Sequence, residues 1–151
     1  MPLEDFYLDY RETARRPGEF VAKNHIPTEE IVFRCNKISK HADQDISAVL
    51  AAFVLDRSPG QTVKKVRMAF GGKAAVPKRA VKAEKVMSGK PWSAATISAG
   101  QAVLDQEFHP ISDMRASADC RLTLAQNLLQ KFFIETNAPC TITRIPDRAV
   151  S

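Results

Sequence analysis

The sequence predicts an α+β fold: an antiparallel sheet of three to four strands, followed by about three helices packed on one face. Two observations indicate this. In the first half of the 151 residues, apolar and polar residues alternate as they do in strands. In the second half, apolar residues recur at helical spacing. Strands followed by helices are typical of domains in which helices cover an antiparallel sheet.

The first two predicted strands lie on either side of a proline. Residues Glu19 to Ile26 read as a strand, which ends because Pro27 has no N–H to donate to a ladder. After a polar turn, Ile31 to Ile38 alternates in the same way. Odd-numbered residues of this second strand should lie on one face and even-numbered residues on the other.

A hairpin is predicted next. Ile46 to Leu55 is apolar and alanine-rich, so its periodicity leaves a strand and a buried helix both open. The turn residues Asp56 to Gly60 favour a hairpin. Thr62 to Phe70 alternates as its second strand, and the pair Gly71-Gly72 ends it.

Two shorter helices follow. Pro77 suits a first helical turn, which predicts a helix over Ala80 to Met87 that stops at Gly89. Ser93 is a candidate N-cap for a helix that runs to about Glu107.

The longest helix is predicted from Ala116 to Thr136, and its apolar residues recur at helical spacing. We expect them to form part of the core rather than a cofactor site: Leu122, Ala125, Leu128, Leu129, Phe132 and Phe133.

Composition narrows the function classes. The net charge is +5, but the basic residues are dispersed and aromatic residues make up only 7%. A base-stacking surface needs the two together, so nucleic-acid binding is the weaker reading. A solvated surface or a face for an acidic partner domain fits better. No apolar run approaches the ~20 residues of a membrane helix, and the acidic, aromatic N-terminus is unlike a signal peptide. We expect no membrane partner and a cytoplasmic location.

The residues that usually carry chemistry are sparse. Three scattered cysteines with no Cys-x-x-Cys pair predict neither a disulfide framework nor a metal or iron–sulfur site, and buried or idle thiols are the simplest reading. The three histidines lack metal-ligand spacing. The run Gly71-Gly72-Lys73 lacks the glycine spacing of a phosphate loop. No catalytic residue and no metal ligand is predicted in this chain.

Two polar clusters stand out. The loop Ser39 to Asp45 lies between apolar strands, and a functional loop and a solvated connection are equally compatible with it. Asp113 and Arg115 precede the longest helix, and Arg121 follows in that helix. We predict a buried or interdomain ion pair here that fixes the helix against the sheet, because breaking such a pair leaves an unmatched charge.

Three segments carry a family resemblance: Lys37 to Ala51 (KISKHADQDISAVLA), Arg67 to Ala80 (RMAFGGKAAVPKRA) and Phe108 to Arg121 (FHPISDMRASADCR). In this order they resemble the C-terminal domain of the FAD-binding (small) subunit of bacterial xanthine dehydrogenase, in the molybdenum hydroxylase family. The resemblance runs from about Asp5 to Glu135. It implies a flavoprotein C-terminal domain over residues 1–137 and a C-terminal tail over residues 138–151.

The resemblance implies a share in an oxidoreductase. In that family, electrons pass from a molybdopterin site through iron–sulfur clusters to FAD, and the reduced flavin passes hydride to NAD. This chain would complete the FAD pocket during purine hydroxylation and would be inactive alone. Its partners would be an N-terminal FAD-binding subdomain, an iron–sulfur domain and a molybdopterin subunit.

Three positions carry over as cofactor-binding residues: Val21 against the flavin, Lys37 reaching it, and Gln44 near its NAD side. The chain departs from the family pattern at four places, which include Asn36 before the lysine and Cys120 before Arg121; the others are Lys73 and the pair His41-Ala42. These departures keep an alternative open, in which the chain is a stand-alone, non-catalytic docking module that has lost flavin binding.

Overall fold

The computed structural model of the protein describes residues 1–26, 31–39, 46–72, 76–110, 112–114, 116–141 and 143. These residues form six strands and three α-helices, together with a short 3-10 turn at Leu3–Asp5. The strands are β1 (Tyr7–Asp9), β2 (Glu12–Thr13), β3 (Val32–Ile38), β4 (Val49–Arg57), β5 (Val63–Gly71) and β6 (Lys78–Arg79). The helices are α1 (Val81–Met87), α2 (Ala94–Glu107) and α3 (Ala118–Asn137).

The main sheet is antiparallel in the order β3-β4-β5-β6, and β1 and β2 form a separate small hairpin. Helix α3 packs on β3 and β4, while α1 packs on β5. The predicted α+β class, with helices after an antiparallel sheet, is therefore confirmed.

The burial pattern of β4 decides between a strand and a buried helix, which periodicity had left open. Its odd-numbered residues from Val49 to Leu55 are all buried, whereas Leu50, Ala52 and Val54 on the other face are not. Such strict alternation needs a strand, because a helix would bury residues three and four apart. The predicted hairpin with Thr62 to Phe70 is also present, as β4 pairs with β5 in antiparallel register.

Side chains satisfy the backbone groups at the helix ends. The Ser93 side chain accepts a hydrogen bond from Thr96 N at the start of α2, as predicted, and Ser117 does the same for Cys120 N at the start of α3. The Glu107 carboxylate accepts from Lys82 N and Ala83 N, and so serves the first turn of α1.

A buried carboxylate joins α1 to the sheet. Glu84 is 7% exposed, and its side chain accepts from Met68 N at 2.8 Å and from Arg79 Nη2 at 2.6 Å. The hydrogen bond to Glu84 raises the pKa of Arg79 above its ordinary value. Both charges of the pair therefore have a partner where α1 meets β5 and β6.

Aromatic rings fill the layer between sheet and helices. Phe132 of α3 stacks on Phe53 of β4 with 4.9 Å between ring centroids, and it meets Trp92 edge-on at 5.7 Å. Phe70 of β5 contacts both Phe53 and Phe108 edge-on. Four of the six residues expected in the core on α3 are buried, and Leu122 and Phe133 pack against the core while partly exposed.

Two local predictions were wrong. Glu19 to Ile26 is not a strand, because a strand needs a ladder partner and these residues have none among the described residues. Pro77 does not begin a helix: Lys78 and Arg79 pair with β5 first, and the helix begins at Val81. The β1–β2 hairpin was not predicted.

Replacing Phe132 by alanine should lower the free energy of unfolding by about 3–5 kcal/mol, because it removes a fully buried ring that touches two others. Chemical denaturation measures this change. The matched control is Phe33→Ala, whose ring is 54% exposed and whose loss should change stability by less than about 1 kcal/mol. Equal effects of the two substitutions would contradict this account of the core.

Candidate functional site

One face of the main sheet is turned away from the helices. Alternation along β3, β4 and β5 and the register between them place the same nine residues on this side, which we call the open face. They are Phe33, Cys35, Lys37, Leu50, Ala52, Val54, Arg67, Ala69 and Gly71.

The open face consists of three cross-strand rows. Lys37 lies opposite Leu50, which lies opposite Gly71. The next row is made of small side chains: Cys35, Ala52 and Ala69. The third row is Phe33, Val54 and Arg67. Successive rows are about 6.6 Å apart along a strand.

This arrangement makes a shallow, mostly apolar surface with a cation at each end. Lys37 and Arg67 are both exposed, and they lie on opposite edge rows of the face. Leu50, the cross-strand neighbour of Lys37, is 39% exposed, so apolar surface lies in the same row as the lysine. Such a surface suits a flat, largely apolar group that carries partial negative charge at one edge.

The structure describes two of the three residues predicted to bind the cofactor. Lys37 lies on the open face of β3. Val21 lies in the N-terminal segment, outside any strand, and is 50% exposed. Gln44 lies outside the described residues, as does most of the polar loop Ser39 to Asp45. The roles of all three remain predictions.

A buried arginine holds the end of the sheet at which Lys37 lies. Arg121 is 3% exposed, and its guanidinium donates to the carbonyl oxygens of Ala48, at 3.0 Å, and of Gly72. It also donates to Asp113 Oδ1 at 2.6 Å. One side chain of α3 thus joins the residue before β4, the residue after β5 and the loop that precedes α3.

Glycine is required in this junction. Gly72 has φ +80°, and a Cβ there would lie 2.5 Å from the Ala48 carbonyl oxygen and 3.2 Å from Arg121 Nη1. Gly72 therefore lets the backbone approach the guanidinium closely. The predicted Asp113–Arg121 ion pair is confirmed, while Arg115 lies outside the described residues. That Arg121 also binds backbone next to the Lys37 row was not predicted.

Asn36 adjoins Lys37 but belongs to the opposite, core side of the sheet, opposite the fully buried Ala51. Its Nδ2 is buried and finds no hydrogen-bond partner among the described residues. An unpaired buried donor costs free energy. Replacing this amide by an apolar side chain should therefore stabilise the protein.

Other kinds of site gain no support from the described residues. They contain no group of three or more His, Cys, Asp or Glu side chains placed to hold a metal ion. All three cysteines are free and exposed, so of the two readings, buried or idle thiols, the buried one was wrong and idle thiols stay a prediction. In this part of the chain, no helix combines the length and apolarity that crossing a bilayer requires.

Comparison with known families decides what this domain is. Residues 34–136 match the family described as the CO dehydrogenase flavoprotein C-terminal domain. The chain belongs to this family. The resemblance seen in the sequence, to a flavoprotein C-terminal domain of the molybdenum hydroxylases, is confirmed.

Two relatives found by sequence similarity support the same family assignment. The chain is 32% identical over 146 residues to nicotinate hydroxylase of Emericella nidulans, with 91% of this chain and 11% of the relative covered. It is 33% identical over 113 residues to xanthine dehydrogenase of the same fungus, with 72% of this chain and 8% of the relative covered. The chain therefore spans about a tenth of the length of these two relatives.

Solved structures share the fold. Quinoline 2-oxidoreductase from Pseudomonas putida 86 aligns with TM-score 0.76 and 24% identity, covering 87% of this chain and 45% of that one. CO dehydrogenase from Oligotropha carboxidovorans aligns with TM-score 0.74 and 25% identity, covering 84% and 44%. This chain thus corresponds to a little under half of each of those chains.

Replacing Arg121 by methionine should destabilise the protein by about 3 kcal/mol, because Asp113 and two backbone carbonyls lose their donor. Urea denaturation measures the loss. Arg67→Met is the control, since Arg67 is exposed and its replacement should stay within about 0.5 kcal/mol. If Arg121→Met lowers the free energy of unfolding no more than Arg67→Met does, Arg121 does not stabilise the contact between α3 and the sheet.

Replacing Asn36 by leucine should raise the free energy of unfolding by about 1 kcal/mol, because an apolar side chain of similar shape removes the unpaired amide. The midpoint of thermal unfolding should rise accordingly. Asn127→Leu is the control, on the exposed side of α3, and should leave the midpoint nearly unchanged. A lower midpoint for Asn36→Leu would mean that the amide has a partner beyond the described residues.

Proposed function

We propose that this domain completes the flavin pocket of a molybdenum hydroxylase that acts on an N-heterocycle, with a purine as the favoured substrate. The observation that carries the proposal is the position of Lys37. In a domain of the flavoprotein family, its ammonium lies at the rim of an exposed, apolar sheet face. On this proposal the flavoprotein domain extends over residues 1–137, and residues 138–151 are a tail.

The residues present suit one side of a flavin. The row Lys37–Leu50–Gly71 adjoins the row of small side chains Cys35–Ala52–Ala69, which leaves room for a flat ring above the sheet. The described residues offer no glycine-rich phosphate cradle, so the FAD phosphates would be held by an N-terminal FAD-binding subdomain. Bound FAD would supply the capacity to accept electrons and to pass them to an acceptor.

Each residue would have a limited task. Lys37 would place a positive charge near the ring, which favours the anionic reduced form electrostatically. Val21 would exclude water from one side of the ring, and Gln44 would lie towards the NAD side. None of them would form a covalent bond, and none would act as an acid or a base.

The remaining chemistry would lie on other parts of the complex. Molybdopterin, the iron–sulfur clusters and the substrate pocket would belong to a molybdopterin subunit and an iron–sulfur domain, with NAD as the acceptor. The names of two relatives, xanthine dehydrogenase and nicotinate hydroxylase, support a nitrogen heterocycle as the substrate class. A cytoplasmic location is part of the same proposal.

The alternative is a docking module that keeps the fold but has lost the flavin. The unpaired amide of Asn36, next to Lys37, favours this alternative because it shows a departure that destabilises the flavin-side strand. One measurement distinguishes the two proposed functions. A flavin titration of the chain together with the FAD-binding subdomain should show restored binding in the first case and none in the second.

In the reconstituted pair, Lys37→Ala should weaken FAD binding about tenfold or shift the flavin potential downward, because the anionic reduced flavin loses a neighbouring cation. Flavin fluorescence and a redox titration measure the two effects. Lys64→Ala is the matched control, since Lys64 is exposed at the opposite end of β5. Wild-type affinity and potential in Lys37→Ala would remove Lys37 from the site.

A further inference from the structure

Lys37 lies near the end of a strand at the edge of the main sheet. Among the described residues β3 pairs with β4 alone, and Lys37 is the last residue of β3 but one. Directly after it, a hydrogen bond of 2.8 Å runs from Ala48 N to the Ile38 carbonyl oxygen. Because the ends of elements open more readily than their middles, the position of Lys37 depends on what holds this bond.

Arg121 holds this bond from the core side. The N–H of Ala48 donates to β3, and its carbonyl oxygen accepts from Arg121 Nη1 at 3.0 Å. The same Nη1 donates to the carbonyl oxygen of Gly72, the residue after Gly71. One guanidinium therefore fixes, directly or through Ala48, all three strands that form the row containing Lys37.

The fixed backbone lies close to that row. Ile38 and Gly72 are each one residue away from it, and Ala48 is two residues before Leu50. These separations correspond to about 3–7 Å along a strand. A displacement of about 1 Å changes the attraction between two charges about 4 Å apart by roughly a fifth. Small backbone changes at these residues are therefore large enough to alter what Lys37 does to a bound anionic group.

The guanidinium is itself held in one orientation. Arg121 is 3% exposed, and its Nη2 donates to Asp113 Oδ1 at 2.6 Å. This contact leaves Nη1 directed at the two backbone carbonyl oxygens. The carboxylate also largely cancels the charge of the guanidinium at a distance, so that Arg121 acts by geometry rather than as a second cation.

We propose that Arg121 is a positioning residue of the flavin site. It fixes the backbone that carries Lys37, and thereby sets how closely the ammonium group approaches the flavin. This inference rests on the proposed function, and it adds to the site a buried residue of α3, from the core side of the sheet. Arg121 does not touch the flavin, so its effect passes through Lys37.

The test uses the full chain reconstituted with the FAD-binding subdomain, at a temperature at which circular dichroism shows every variant folded. Fluorescence measures FAD affinity, and a redox titration measures the flavin midpoint potential. Arg121→Met should weaken FAD binding about three- to tenfold and lower the potential, as Lys37→Ala does. Phe132→Ala is the control for lost stability, since it removes a fully buried ring from the same helix and should change neither readout.

A second variant disturbs the junction from the sheet and leaves Arg121 in place. Gly72 and Gly89 both have a left-handed backbone, with φ +80° and +72°. A Cβ at Gly72 would lie 2.5 Å from the Ala48 carbonyl oxygen, whereas one at Gly89 would meet nothing within 4 Å. Gly72→Ala should therefore reproduce the flavin effects of Arg121→Met. Gly89→Ala, which carries similar backbone strain, should show none of them.

A double-mutant cycle tests the route of the effect. If Arg121 acts through Lys37, the two residues are coupled and their substitutions are not additive. Adding Arg121→Met or Gly72→Ala to Lys37→Ala should then change FAD affinity by less than about twofold. The potential of each double variant should equal that of Lys37→Ala alone.

Four outcomes would overturn the inference. If Arg121→Met and Gly72→Ala keep wild-type affinity and potential while Lys37→Ala does not, Arg121 does not position the lysine and the proposed function stands. If the effects of Arg121→Met and Lys37→Ala add in full, Arg121 acts by another route. If Phe132→Ala has the same effect as Arg121→Met, lost stability is the cause. If the wild type binds no FAD, or Lys37→Ala behaves like it, the proposed function fails at this site and the inference fails with it.

Discussion

The guanidinium of Arg121 holds together the parts of this domain that are distant in sequence. From a buried position near the start of α3, it reaches the backbone before β4, the backbone after β5 and the carboxylate of Asp113. These contacts fix the start of α3 against the end of the sheet at which β4 begins and β5 ends. Because several acceptors share one buried cation, the junction has a defined geometry that hydrophobic packing alone would not impose.

The sheet has two unlike faces. The core face is closed by aromatic rings and by the helices, and its residues are buried in β4 and β5 but only partly buried or exposed in β3. The open face carries small residues in its middle row and cations in the rows on either side. Among the described residues the helices cover one side of the sheet only, and the chain belongs to the family of the CO dehydrogenase flavoprotein C-terminal domain.

The polar residues of structural importance, Glu84 and Arg121, are buried and satisfied by hydrogen bonds. Lys37 is exposed, while the buried amide nitrogen of Asn36 beside it finds no partner among the described residues. The buried polar side chains that are hydrogen-bonded thus lie at the helix–sheet contacts, whereas none of residues 1–26 is buried.

The sequence by itself determined the elements whose pattern is local. The period of the strands, the Ser93 cap and the apolar residues of α3 all follow from neighbours within one or two turns, and the family followed from three short segments. Tertiary structure alone decided the rest. Whether Ile46 to Leu55 was strand or helix depended on its sheet partners, and Glu19 to Ile26 failed to form a strand because such a partner is missing from the described chain. The contacts of Arg121 with the backbone could not be predicted for the same reason. Its two acceptors lie 73 and 49 residues away in the sequence, so no local pattern indicates them.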